Sequence, residues 1–507
     1  MENDLPPRVV WFKKDLRVVD HEPLYTASRF GTVLCLYIYE PELYREPYFS
    51  SSHLQAVHQA LTQLKRELQR LGADLLIQIG ESVDVLEKLQ KTTGFTELLS
   101  HQETGTGATY ERDLAVGDWC KENGVHWREW RQQGVIRALR QRAGWANQWQ
   151  EYMSEACLPA PKHLQGYKMK AWGQPKSARS LGLTQPTQSG AALTNESEAH
   201  RTLNDFLQVR GEGYQSGLSS PVSAFDSCSR LSHHFTYGTI SLRKVFQATK
   251  SRQEELRRLK ASRPGSNEWL RSISSFSQRL RWHCHFMQKL ESEPEIEFQN
   301  MARSYDGLRE ANHDIEKFEL WKRGETGYPL IDASMRCLQK TGWINFRMRA
   351  MLMSFASYHL WLHWRPTALH LAQEFLDFEP GIHFAQAQMQ SGTTGINAIR
   401  IYSPSKQVVD HDPSGKFIKA YLPELEALPA AYLAHPQKMP KELQNRLGIR
   451  IGKDYPAPVV DETVAMAKAR SKFYRVKRSP EAKKEAGEIY QRHGSRRSPH
   501  RSKATHP

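Results

Sequence analysis

The chain is poor in paired cysteine. Its six cysteines, Cys35, Cys120, Cys157, Cys228, Cys284 and Cys337, are scattered over 507 residues and include no CxxC pair. This excludes a disulfide framework and a zinc knuckle, fits a reducing compartment, and leaves no metal site to expect. Long apolar runs are also missing. No stretch of 18 apolar residues occurs, and MENDLPPRVVWFKKDL lacks a basic-then-apolar leader pattern, so the expectation is a soluble cytoplasmic protein with no membrane partner. No Gly-x-Gly-x-x-Gly opens the first helical stretch, which argues against a nucleotide held there in the ordinary dinucleotide manner.

Positive charge is present in excess. The formal net charge is +15, which suits a polyanionic partner. Much of it sits at the end, where Lys472 onward carries 11 Lys/Arg against three Glu among Ser, Pro and His. Residues 471–507 therefore read as a disordered tail, either touching nucleic acid non-specifically or acting as a solubilising extension. The body keeps a milder balance, so charge alone does not establish DNA binding.

A chain of this length exceeds one hydrophobic core and predicts at least two domains. Val9-Val10-Trp11-Phe12, Val33 to Tyr39 and Ala73 to Ile77 read as buried strands, and Leu54, Val57, Leu61, Leu64 and Leu68 recur at helical spacing. Apolar strands alternating with amphipathic helices predict an α/β domain with a parallel sheet over 1–150. A Pro/Gly/Ser/Thr/Gln-rich stretch marks a linker over 151–199. Beyond it, helical periodicity dominates 200–215, 239–257, 267–290, 331–375 and 415–425, so 200–470 is expected to be an all-helical domain.

Two clusters in the helical part carry chemistry. In Asp226-Ser227-Cys228-Ser229-Arg230-Leu231-Ser232, small hydroxyl donors lie beside a cation just before a helix; such groups can hold a pyrophosphate, although a Ser-rich helix N-cap uses the same letters. The second is Trp343-Ile344-Asn345-Phe346-Arg347-Met348-Arg349, followed by Asp377 and Glu379. A cation held by a carboxylate can stabilise an anionic ring system, or the two can form an ordinary interdomain ion pair.

The run from Thr326 to Pro366, LDFEPG after it, and SGTTGINAIRIYSPSKQVVDHDPSGKFIKAYLPEL closely resemble the FAD-binding half of the DNA photolyase and cryptochrome family. WFKKDLRVVD and SCSRLSHHFTYGTIS extend the resemblance over roughly residues 9 to 465. It implies a central FAD, with Ser229, Arg230, Leu231 and Ser232 at the diphosphate, Tyr214 bracing it, and Cys228 standing where Thr is usual. It further implies that Arg349 pairs with Asp377 beside the isoalloxazine, that Glu379 supplies a second carboxylate in place of Asp, and that Asn345 belongs to the same cluster. A folate or deazaflavin antenna in the N-terminal domain is a further implied cofactor, without a local motif to identify it. A related branch carries an iron–sulfur cluster; it needs three late cysteines, and none follows Cys337.

The lesion-facing positions depart from the usual cyclobutane-dimer enzymes. Trp282 matches the stacking Trp, but Arg279 occupies the Glu position and cannot accept a hydrogen bond from a thymine N–H. His283 replaces an Arg, Phe346 an Asn and Ala350 a Met. His283 and His285 offer acid–base or lesion contacts, or simply pack the helix, and they do not share a helix face. Of the implied electron chain only Trp364 remains; Ala387 and Ala311 stand at the other two places, so a relay would run through Trp361, Tyr358, Phe384 or Trp343. Arg400, Lys406, Lys416 and Lys419 are implied at a DNA-facing rim or a protein-facing surface. The leading expectation is a monomeric, light-driven photolyase acting on an ultraviolet pyrimidine photoproduct in damaged DNA. The second is a cryptochrome-type blue-light receptor with a signalling-protein partner.

Overall fold

The computed structural model describes residues 6–169, 171, 173–183, 187–259 and 265–494, with the side chain of Asn312 excepted. Five parallel strands, β1 (Arg8–Phe12), β2 (Thr32–Tyr39), β3 (Leu75–Ile79), β4 (Glu97–His101) and β5 (His126–Trp130), pair in the order β3-β2-β1-β4-β5. Val9, Val10, Trp11 and Phe12 of β1 and the run Val33 to Tyr39 of β2 put apolar side chains on both faces, which is why both strands are buried beyond their first residue. Helices α1 (Ser51–Leu71), α2 (Ser82–Thr93) and α3 (Gly107–Glu122) cover the sheet. The chain runs from β1 toward β2 on one side, and β4 adds on the other. The carboxyl ends of β1 and β4 therefore flank a topological switch point, the usual mouth of such sheets.

The N-terminal unit ends earlier than residue 150. Helix α4 (Trp145–Ser154) straddles that boundary, and its Trp145, Trp149, Tyr152 and Met153 pack with Leu203, Phe246 and Phe276 of the helical part. The linker is strapped down as well. Gln165–Gly166 forms a short sixth strand, β6, on β2, and Gln188 donates to the carbonyls of Leu338 and Glu374 at 3.3 and 2.7 Å.

Helices α5 (Glu196–Gln208), α6 (Leu242–Arg258), α7 (Ser266–Ser292), α8 (Pro329–Thr341), α9 (Phe346–Ser354), α10 (Trp364–Glu374) and α11 (Pro380–Ser391) build the second unit. The periodic stretch 331–375 is broken by Gly342, which is left-handed at φ 70°, and by a π-helical turn over Phe355–His359.

The expected disordered tail is corrected for 471–494. Helix α12 (Glu462–Lys477) is capped by Asp461 and α13 (Pro480–His493) by Ser479. Phe473 and Ile489, both fully buried, anchor them to the core, and the Glu485 carboxylate accepts from the backbone N–H groups of Arg303 and Ser304. Two apolar anchors in a Lys/Arg-rich stretch are enough to dock it. Residues 495–507 of the expected tail lie outside the described residues. No described helix is long and apolar enough to cross a membrane.

Candidate functional site

Three segments converge between α7, α9 and α11. The first is the turn 228–233. Arg230 adopts a left-handed backbone at φ 61°, rare for a residue with a Cβ, and Arg210 braces the turn by donating to the Cys228 carbonyl. The twist lays the Arg230 guanidinium on the Trp343 ring, 3.9 Å from its centroid, with Phe225 at 4.8 Å. Burial pushes Arg230 down to about 10 and the Cys228 thiol up to about 11, so the first stays a cation and the second a neutral thiol. Leu231 is buried, and Tyr214 packs edge-on against Phe206 and Phe276 with its hydroxyl bonded to Arg279. Tyr214 is thus tied to the mouth through Arg279.

The second segment opens α9. Asn345 donates its amide to the carbonyls of Leu218 and Ser219 at 3.1 and 3.0 Å, tying the helix to the 218–219 loop. One turn on, Arg349 donates to both Asp377 oxygens at 2.9 and 2.8 Å and to the Ile344 carbonyl at 2.8 Å. Burial works to raise the Asp377 carboxyl, and the Arg349 guanidinium outweighs it, holding the group ionised below its ordinary range. The third segment begins α11. Glu379 is buried without a comparable partner; burial pushes it up to about 7, with Lys14 opposing and Glu103 and Asp377 adding to the rise. Of two carboxylates two residues apart, one is therefore held ionised and the other can carry a proton near neutral pH.

Sequence reasoning missed three neighbours. His383 lies one turn beyond Glu379, bonded through Nε2 to the Ala368 carbonyl at 2.8 Å and enclosed by Phe375, Phe378 and Phe384. Burial pushes it down to about 4, so it is neutral. The i, i+4 spacing from Glu379 was the available signal. His233 follows Ser232 and is likewise pushed by burial to about 4, and Arg347 donates to the Ser219 hydroxyl at 3.3 Å.

Unsatisfied atoms define what the cradle can hold. Arg230 Nη1, His233 Nε2, Asn345 Oδ1, Arg347 Nε and Glu379 Oε1 are all buried without a hydrogen-bond partner, and Ser232 bonds Asp377. Each unpaired group costs about 1–3 kcal/mol, and five in one region signal a polar ligand. Cations and a hydroxyl at the 228–233 end suit a diphosphate. The Arg349–Asp377 pair, Asn345 and Glu379 suit the polar edge of a flavin. The residues present fit FAD.

The mouth is apolar and cationic. Trp282 and Phe346 are 48% and 43% exposed, large values for such rings, and the Arg279 guanidinium lies 5.5 Å from the Phe346 centroid. His283 does not join them. It turns toward Phe235 at 5.4 Å, is pushed by burial to about 4 and so is neutral, and its buried Nδ1 has no hydrogen-bond partner. Trp364 does not line the exposed mouth either: it is fully buried, with Nε1 donating to Asn300 at 2.7 Å. Ala387 is buried in α11, and Trp361 and Tyr358 lie under Phe473 of α12. Lys472 Nζ sits 4.3 Å from the Trp361 centroid and Arg309 5.6 Å from it, two cations that oppose positive charge on that indole.

A separate cavity of about 90 Å³ opens at the ends of β1 and β2, lined by Lys14, Tyr37, Tyr44 and Tyr48 and closed by Phe378 and Pro380. It lies beside the sheet's switch point and shares a wall with the segment that carries Glu379. In the same unit Asp15 accepts from His21 and His101 at 2.9 and 2.7 Å. These are hydrogen-bond distances, and the His21 Nδ1 accepts from the Leu24 N–H, so the trio forms a closed hydrogen-bonded unit.

Comparison with known proteins follows the same division. A family model described as the FAD binding domain of DNA photolyase matches residues 276–475, and one described as DNA photolyase matches 8–142. A deoxyribodipyrimidine photo-lyase of Agrobacterium fabrum is 28% identical over 493 residues, covering 93% of this chain and 98% of that protein. Cryptochrome-2 of Arabidopsis thaliana is 28% identical over 500 residues, covering 92% of this chain and 78% of its own. The crystal structure of a bacterial class III photolyase from Agrobacterium tumefaciens superposes with a TM-score of 0.81 at 27% identity, covering 94% of this chain and 98% of that one.

Proposed function

The chain belongs to the DNA photolyase and cryptochrome family, and we propose that it is a light-driven, FAD-dependent photolyase acting on an ultraviolet pyrimidine photoproduct in DNA. The observation that carries this reading is the mouth. Two large rings, Trp282 and Phe346, stand exposed with the Arg279 guanidinium beside Phe346, and exposed rings next to a cation offer a surface on which a flat, electron-rich ligand can stack. FAD, when bound and reduced, supplies the electron that light delivers to the lesion. Arg349 and the ionised Asp377 orient the polar edge of the cradle, and Arg230 with Ser232 anchors its diphosphate end. Trp282 stacks on the extruded base, Phe346 excludes water, and Arg279 offsets negative charge on the photoproduct.

The β1/β2 cavity supports an antenna chromophore. The aromatic lining from Tyr37, Tyr44, Tyr48 and Phe378, with Lys14 beside it, suits the ring of a folate or deazaflavin. A blue-light receptor is the second reading. It is favoured by the direct docking of α12 on the π-helical turn, through Phe473 against Tyr358 at 5.1 Å, which ties the C-terminal helices to the domain that holds the flavin.

The deciding experiment presents reduced protein with cyclobutane-dimer and (6-4) oligonucleotides, separately, under blue light and in the dark. Loss of one lesion only in the light is expected. Intact lesions in both, with FAD reduced and DNA bound, would reject repair in favour of the receptor.

A further inference from the structure

Helix α7 continues below the mouth into a second basic cluster. Trp282, His285, Phe286 and Lys289 recur at i, i+3, i+4 and i+7, so they share one face, with Lys289 about 10 Å along the axis from Trp282. Lys289 is only 7% exposed, and its Nζ lies 5.3 Å from the Phe286 centroid; no carboxylate pairs with it among the described residues. Arg142 reaches over from the loop before α4. Its Nη2 donates to the His285 Nδ1 at 2.7 Å and the His285 carbonyl at 3.0 Å, while Nη1 is buried with no partner. The nearby carboxylate, Glu293, is already taken by His493 and Arg492 of α13.

A buried ammonium beside a half-buried guanidinium, neither with a counter-ion, is unusual, because each ordinarily needs an anion to offset its lost hydration. Burial and the neighbouring Arg142 bring Lys289 down to about 8, so at neutral pH it still carries its charge. His285 is neutral, pushed by burial and by Lys289 to about 3. Its Nδ1 accepts from Arg142, which leaves Nε2 as an N–H donor. An ammonium, an unused guanidinium N–H and an imidazole N–H thus belong to one cluster, and among the described residues no protein oxygen bonds the first or the second. The His285 ring centroid is 6.3 Å from that of Trp282.

We propose that Arg142, His285 and Lys289 bind a phosphate group, supplied by the backbone of a strand whose base stacks on Trp282. The free Arg142 Nη1, the Lys289 ammonium and the His285 N–H are donors that suit phosphate oxygens, and His285 and Lys289 lie on the same helix face as the exposed ring. The DNA source rests on the photolyase reading above; the phosphate chemistry does not.

The test uses the full FAD-loaded chain, its Lys289→Met and its Arg142→Gln. In the first arm, melting is compared in inorganic phosphate and in chloride at equal ionic strength. Phosphate should raise the Tm of the parent and not of Lys289→Met, whose Tm in chloride should match or exceed the parent's because a buried repulsion is gone. In the second arm, the affinity of a lesion-bearing oligonucleotide is followed against salt. Each variant should weaken binding about tenfold and flatten the slope by about one phosphate contact, ~0.9 for duplex or ~0.7 for a single strand. A phosphate effect lost in Lys289→Met without any change in the salt slope supports the site and assigns it to a free phosphate or nucleotide. Failure of the parent to bind DNA rejects the photolyase reading and leaves the first arm standing. Both variants matching the parent in both arms would overturn the proposal.

Discussion

Replacing Arg349 with alanine separates two roles that one side chain performs. The guanidinium makes two bonds to Asp377 at 2.9 and 2.8 Å and a third to the Ile344 carbonyl. The Asp377 side chain is 4% exposed and that of Arg349 27%. Breaking a fully buried pair by removing one partner costs about 3–5 kcal/mol, and the partial exposure of Arg349 puts this pair at the lower end. Asp377 would respond by taking up a proton, since burial favours the neutral form once the cation is gone. Losing the cation from the flavin edge should cost a further ~1.5–3 kcal/mol of cofactor binding, about ten- to hundredfold in Kd. Arg349→Ala/Asp377→Asn divides the two effects. With no stranded carboxylate, apoprotein stability should largely recover, whereas FAD affinity should stay low. Melting of the apoprotein and FAD add-back followed by flavin fluorescence supply the two numbers, with exposed Lys441→Ala as control. An FAD Kd for Arg349→Ala within twofold of the parent, or affinity restored in the double variant, would refute the assignment.

Three further outcomes follow from burial. Glu379 is pushed up to about 7, so the folded state binds more protons than the unfolded one and stability falls as pH rises from about 4.5 to 7; Glu379→Gln should therefore raise the apoprotein Tm at pH 8, by up to about 3 kcal/mol in stability, and do little at pH 5. An equal shift at both pH values would show that the carboxyl is not held neutral. His53, His233, His283, His359 and His383 are all pushed by burial to about 4, so their contribution is complete above pH 6.5 and lost between there and about 4, at up to ~1.4 kcal/mol per histidine per pH unit. A Tm that stays flat from pH 7 to 5 would contradict this. Phe473→Ala removes a fully buried ring and should cost about 3–5 kcal/mol, seen as early proteolytic release of the segment after 461; unchanged cleavage kinetics would mean that α12 is not anchored there.

Strands β1, β2 and β3 were legible because their apolar residues are contiguous, whereas β5 (His126–Trp130), with alternating exposed positions at the sheet edge, has the polar letters of a loop. The turn at 229–232 and the Arg349–Asp377 pair were likewise legible, since short spacings or a matching motif carry them. What stayed hidden depends on contacts across long separations. Arg142 meets His285 across 143 residues, and neither local pattern hints at the other. The docking of 471–494 was hidden by composition, because 11 cations in the final stretch outweigh Phe473 and Ile489 in any average while those two residues decide the packing. Charge state is the deeper limit. Asp377 and Glu379 are chemically alike and two residues apart, yet one is held ionised by a guanidinium at 2.8 Å while the other, lacking such a partner, is driven toward neutrality by burial. A sequence can nominate both carboxylates for a flavin edge. Only the packing around them assigns one as a fixed anion and the other as a group that can carry a proton near neutral pH, and that difference is what the Glu379→Gln melting curves at two pH values read.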